Sequence, residues 1–165
     1  AVNEFVYSGG SAIFLNTPAR MIKRSGENLT FQVEGEKLLP MDPIKNMSKG
    51  LWDGILHINR KHPIFKGLPV NTPLIDLYEN IGPTVSFRGL KGNNIVQTIA
   101  FDRIPNGNIM KRNYIGSGDV WTGSDLSIVK HNKGKMLLST LKVFENLGKD
   151  PVADKILFNM IRYFQ

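Results

Sequence analysis

Cysteine is absent from this 165-residue chain. That excludes disulfides, thiolate metal sites and a cysteine nucleophile, and it is compatible with cytoplasm, periplasm or export. No apolar run reaches the length of a membrane-spanning helix, and no signal-peptide pattern is visible. Phosphate-binding glycine patterns are missing too. Gly9-Gly10 and Gly116-Ser-Gly118 match neither G-x-G-x-x-G nor G-x-x-x-x-G-K-[ST], and Gly10 precedes a strand rather than a helix. Internal repeats, low-complexity tracts and zinc-finger spacing are likewise not found.

The remaining composition is that of an ordinary globular protein: 41% hydrophobic and 21% charged residues exclude a disordered chain and a membrane protein. The length predicts a single domain, 1–165, large enough for a real core. A net charge of +7 invites a nucleic-acid reading. The cations are scattered, however, over Lys23-Arg24, Arg60-Lys61, Lys111-Arg112 and Lys130 to Lys135, with no basic helix or aromatic RNA-binding signature. A solvated basic surface is the better reading, with neither nucleic acid nor membrane as partner.

The C-terminus is the most legible part. Two apolar runs meet across Asn132-Lys133-Gly134, a tight-turn signal, which predicts a β-hairpin. Asp150-Pro151 then predicts a helix start, with Asp as N-cap and Pro at the first position, where its missing N–H costs nothing. Ala153, Leu157, Met160 or Ile161, and Phe164 form its buried stripe. At the other end, Ala1 to Tyr7 reads as a helix closed by Gly9-Gly10. Ser11 to Leu15 follows as a parallel strand buried on both faces. This rhythm predicts an α/β fold that begins in mid-domain.

Between the ends the pattern loosens. Residues 16–69 read as an irregular insertion, with short strands around Leu29 to Val33 and a short helix over Met47 to Ile58. His62-Pro-Ile-Phe-Lys-Gly-Leu-Pro69 is a turn-rich motif, and Leu74 to Asn80 is helical or extended. Strands are predicted at Thr84 to Phe87, Ile95 to Phe101 and Ile109 to Ile115. Gly89 to Asn94 and Pro105 to Asn108 would be hairpin loops, and Gly116 to Asp125 a Gly/Ser/Asp loop around Trp121.

Three stretches together resemble the class I glutamine-amidotransferase-like domain and its trehalose-utilisation-type relatives. They are Phe5-Val-Tyr-Ser-Gly-Gly-Ser-Ala-Ile-Phe-Leu15, His62 to Pro69, and Gly134-Lys-Met-Leu-Leu-Ser-Thr-Leu141 through Phe164. The last looks most like versions attached to bacterial family 2 glycoside hydrolases of the β-galactosidase kind. The resemblance implies a flavodoxin-like three-layer sandwich, N-terminally incomplete. Its sheet would be mostly parallel, with the antiparallel hairpin near the C-terminus. Amidotransferase chemistry does not carry over, because it needs a cysteine thiolate at a strand-to-helix elbow. The strand end after Leu15 offers Asn16-Thr17-Pro18 instead.

No catalytic constellation stands out. Asp53 and His57 could share a helix face, yet two residues make at most half of a metal site, so no metal and no cofactor are expected. A glycosidase needs two carboxylates roughly 5 to 10 Å apart across a bond. Asp76 and Glu79, three apart beside Tyr78, form a pair without an active-site context. Trp121 and Trp52 could stack on sugar rings, and Asp119 or Asp125 could accept hydrogen bonds from hydroxyls. These four are the candidate ligand-binding residues.

The expected function is that of a non-catalytic accessory domain of a bacterial glycoside hydrolase, periplasmic or extracellular. Its partners would be the parent's other domains, carbohydrate, and a second copy in a homo-oligomer. One alternative is a carbohydrate-binding module using Trp121 and neighbouring loop acids. Another is a small trehalose-utilisation-type hydrolase, which would need a polar pocket gathering two or more of His57, Asp53 and Asp76.

Overall fold

The structure, a computed structural model, describes residues 1–15, 22–25, 28–33, 36–37, 54–84, 86–88, 90, 92–103 and 118–165. The fold is α/β. Helix α1 spans Val2–Tyr7 and leads into β1 (Ser11–Phe14). Three short strands follow, β2 (Ile22–Ser25), β3 (Asn28–Val33) and β4 (Glu36–Lys37), and they pair antiparallel as a separate small sheet. The main sheet comprises β1, β5 (Gly54–Asn59), β6 (Phe87–Arg88), β7 (Asn93–Arg103), β8 (Gly118–His131) and β9 (Gly134–Ser139). Its order is β1-β9-β8-β7-β5, with β6 bonded to β8 off that path. Helix α2 (Pro151–Phe164) closes the chain.

The sheet is mixed rather than mostly parallel. Among the described residues only β1 and β9 run parallel; β5, β6, β7, β8 and β9 pair antiparallel with their neighbours. Antiparallel pairs dominate because the long strands β7, β8 and β9 lie side by side in chain order, and β8 turns straight back into β9 across Asn132-Lys133. Strand β1 is also not buried on both faces. Among the described residues it lies at the sheet's edge with β9 as its one neighbour, and Ser11 is exposed while Ala12 to Phe14 are half-buried.

The predicted hairpin forms, with His131 opposite Gly134 and Asn132 in the left-handed region at φ 53°. Asn132 Nδ2 donates to Tyr7 O at 3.0 Å, tying the turn to α1. Gly134 is required by close approach, since a Cβ there would lie 2.0 Å from Val6 O and 2.3 Å from Gly10 O. Alternate residues of β9 then bury on opposite faces. Met136 and Leu138 pack with Val6 of α1, Phe87, Leu90 and Val129. Leu137 packs with Leu126, Ile128 and the buried stripe of α2, Val152, Ala153, Ile156 and Met160. Each fully buried aliphatic side chain contributes about 1.5–3 kcal/mol, so these two clusters hold both helices to the sheet.

Helix α2 starts as predicted. Asp150 is its N-cap and accepts from Val152 N–H at 2.8 Å, with Pro151 in the first turn. Its stripe is shifted by about one residue: Leu157 and Phe164 are half-buried and Ile161 is exposed.

Three further expectations change. The Met47 to Ile58 helix is replaced over Gly54–Asn59 by strand β5, whose residues zip against β7 in register. The loop predicted from Gly116 to Asp125 is, from Gly118 onward, the first half of β8, because β7 supplies a partner for every residue from Arg103 back to Thr98. The Gly89 to Asn94 hairpin does not form, since β6 and β7 both bond to β8, on its opposite sides. Leu74 to Asn80 resolves as a 3-10 helix over Asp76–Ile81. The Ile109 to Ile115 strand and the Pro105 to Asn108 loop lie outside the described residues.

Candidate functional site

A buried polar network forms where five segments converge. Strand β8 contains a bulge: Val96 pairs with Leu126 and Gln97 with Ser124, so Asp125 has no partner on β7. On the other side of β8, β9 ends its pairing at Leu126 and β6 begins at Ser124, so Asp125 again falls between partners. Such an extra residue re-aims its side chain out of the regular alternation. The backbone stays satisfied, because Asp125 O accepts from Thr140 N–H at 2.8 Å.

The Asp125 carboxylate is fully buried and is met by side chains from four segments, the most distant being Thr140 after β9, whose Oγ1 lies 3.5 Å from Oδ1. Ser86, just before β6, donates to Oδ1 at 2.5 Å, and Thr98 on β7 donates to Oδ2 at 2.6 Å. His57 on β5 places Nδ1 at 2.8 Å from Oδ2. Thr98 Oγ1 also lies 2.8 Å from Ser86 Oγ and 3.4 Å from His57 Nδ1. The register explains the convergence. His57 is opposite Thr98, Thr98 is opposite Gly123, and Gly123 adds no side chain to that face. A carboxylate oxygen accepts, so in this contact Nδ1 is the donor. The other ring nitrogen, Nε2, is enclosed and has no hydrogen-bond partner among the described residues.

His57 is 12% exposed at its side chain, and it lines a cleft of about 440 Å³. The segment after β5 builds the first wall. Asn59, at the strand end, donates from Nδ2 to Pro69 O at 2.8 Å and accepts from Thr72 N–H at 3.1 Å. Leu74 N–H donates to His57 O at 2.8 Å. These bonds lay residues 69–74 along β5 and deliver the 3-10 helix beside His57. Tyr78, buried in that helix, donates its hydroxyl to Pro69 O; burial raises its phenol pKa, with a hydrogen bond to Asn59 opposing. The turn after β9 supplies the second wall, where Lys142 N–H donates to Ile81 O at 3.1 Å.

The cleft lining is largely polar: His57, Asp76, Glu79, Thr84 and Lys142, with Leu74, Ile75, Gly82 and Pro83. Asp76 and Glu79 stand one 3-10 turn apart, so their side chains project on the same side. Asp76 has φ 49°, a left-handed conformation that Asp tolerates better than most residues. Among the described residues Asp76, Glu79 and Lys142 form no ion pair. The described residues also contain no group of three or more His, Cys, Asp or Glu able to hold a metal ion.

Of the sequence candidates, Asp125 is the centre of the network and has no exposed surface with which to meet a ligand. Asp119 and Trp121 lie on β8, opposite Asp102 and Ala100 of β7, and Trp52 falls outside the described residues. The pairing of Asp53 with His57 also rests on a residue outside them. The structure does bring His57 and the Asp76–Glu79 pair into one cleft. Ser86, Thr98, Thr84 and Lys142 were not recognisable from sequence, since isolated Ser, Thr and Lys carry no signal before the strands are placed.

The arrangement is a histidine oriented by a buried carboxylate, as in many acid–base sites, but the network's hydroxyls lie on the carboxylate side. Ser86 and Thr98 bind Asp125, and among the described residues no hydroxyl stands within hydrogen-bond reach of Nε2. The cleft can therefore bind by hydrogen bonds, while a nucleophile–base pair is not assembled among the described residues. Comparison of the chain with models of protein families, with curated proteins and with solved structures finds no match.

Proposed function

We propose that this chain is a non-catalytic accessory domain of a bacterial β-galactosidase-like glycoside hydrolase, and that it holds a saccharide in the His57 cleft. The observation that carries this is the cleft itself. Among the described residues its hydrogen-bonding groups are unpaired with one another, and its histidine is held by Asp125 with no nucleophile in hydrogen-bond reach of Nε2. Sugar hydroxyls are the complement of such a surface, since carboxylates accept from them while Lys142 and Thr84 donate. The glycoside-hydrolase context and the flavodoxin-like ancestry come from the resemblance of residues 5–15, 62–69 and 134–164. With them comes a periplasmic or extracellular setting.

Isothermal titration of the chain with galactosides and glucosides tests the reading. Binding that weakens in Glu79→Gln and survives Trp121→Ala supports this cleft; the reverse pattern would move the site to the Trp121 region of β8. Flat titrations across the panel would sink the saccharide reading, and hydrolysis of aryl glycosides by the chain would sink its non-catalytic part.

A second reading has one observation in its favour, that His57 and Asp76 line the same cleft. It is a small hydrolase in which His57 acts as general base on water and a cleft carboxylate as its acid partner. A turnover lost in His57→Gln would replace the first reading with this one.

A further inference from the structure

We infer that the cleft selects a neutral saccharide and rejects the corresponding uronate, a specificity set by Asp76 and Glu79 against Lys142. This rests on the saccharide reading above and adds the ligand's charge to it. The lining carries two carboxylates and one ammonium group, none paired within the described chain. The two carboxylates project from one face of a 3-10 turn, so a ligand lying on that wall meets both charges together. The wall is therefore acceptor-rich. Hydroxyl donors satisfy it, whereas a ligand carboxylate meets like charge, the repulsive element from which specificity is commonly built. Lys142 offsets part of this repulsion from the second wall.

The experiment is a paired titration of the full chain at low and high salt. Methyl β-galactoside and methyl β-glucoside are each compared with the glycoside oxidised to the carboxylate at C6. The neutral sugar should bind about tenfold or more tightly than its uronate, and the gap should narrow at high salt, as screening of exposed charge requires. Asp76→Asn together with Glu79→Gln should close most of the gap. Asn tolerates the left-handed backbone at position 76, so that variant keeps the turn. Lys142→Ala should widen the gap. Uronates that bind as tightly as neutral sugars, or a ratio unmoved by these variants, would overturn the selectivity and leave the saccharide reading standing. No binding by either member of each pair would overturn both.

Discussion

His57 Nδ1 and Asp125 Oδ2 meet at 2.8 Å although their strands, β5 and β8, are separated by β7. Two strand spacings are about 10 Å, so both side chains must reach over the strand between them. Thr98 lies beneath that contact and donates to the same carboxylate oxygen at 2.6 Å. One buried acid thus joins β5, β7 and β8 with the segment preceding β6, and its removal has a definite expected cost.

Asp125→Ala strips the acceptor from Ser86, Thr98 and His57 at once. The loss of stability should be about 3 kcal/mol or more, read from the urea midpoint with the slope unchanged. Thr98→Val, which keeps the shape and removes one donor, should cost about 1–3 kcal/mol. An Asp125→Ala variant within about 0.5 kcal/mol of the parent, the range of ordinary surface changes, would show that the network does not hold the strands together.

Asp150 serves two partners, Val152 N–H at 2.8 Å and Asn80 Nδ2 at 3.0 Å. Asp150→Ala should lower stability by about 1–2 kcal/mol, the upper range for a lost N-cap, because the link to the cleft wall goes with it. Asp150→Asn keeps a capping oxygen and should recover most of the loss in thermal unfolding. Equal melting points for the two variants would remove the cap from the account.

His62 gives a pH dependence with a definite sign. Burial lowers its pKa below 6.5, and its Nδ1 accepts from Ile64 N–H at 3.3 Å, which only the unprotonated nitrogen can do. The unfolded chain therefore binds more protons than the folded one in this window, and stability rises with pH. The contribution is complete above pH 6.5 and is lost as pH falls below it toward the lowered folded value. His62→Gln should flatten the pH dependence of stability between pH 7.5 and 5.5. An unchanged slope would assign that dependence to another group.

Gly134→Ala would place a methyl 2.0 Å from Val6 O. Backbone, not a flexible side chain, blocks it, so α1 or the hairpin must shift. We expect a loss at or above the upper end of about 1–3 kcal/mol for overpacking. Amide exchange should quicken first in α1 and at the Asn132 turn. Protection there equal to the parent's would contradict the close approach.

The parts of the fold legible in the sequence are those whose signals are local. Asn132 to Gly134 and Asp150-Pro151 act through backbone preferences within a few residues, and both elements formed as expected. Gly118 to Asp125 misled for a physical reason. Its Gly, Ser and Asp residues have loop chemistry, yet β7 pairs with them in register and makes them strand. Tertiary pairing outweighed local propensity there. Gly54–Asn59 likewise became strand through pairing with Val96 to Phe101.

The site divided along the same line. The amino-acid sequence by itself determined an α/β chain without cysteine chemistry, a closing hairpin and helix, and the adjacent Asp76–Glu79 pair. Those properties depend on composition and on neighbours within a turn or two. Only the tertiary structure decided that Asp125 would turn inward at a bulge to hold His57, 68 positions away in the chain. It also decided that Lys142 would face Asp76 and Glu79 across one cleft. Contacts of that separation are set by strand register, and register is settled only when all the strands pack together.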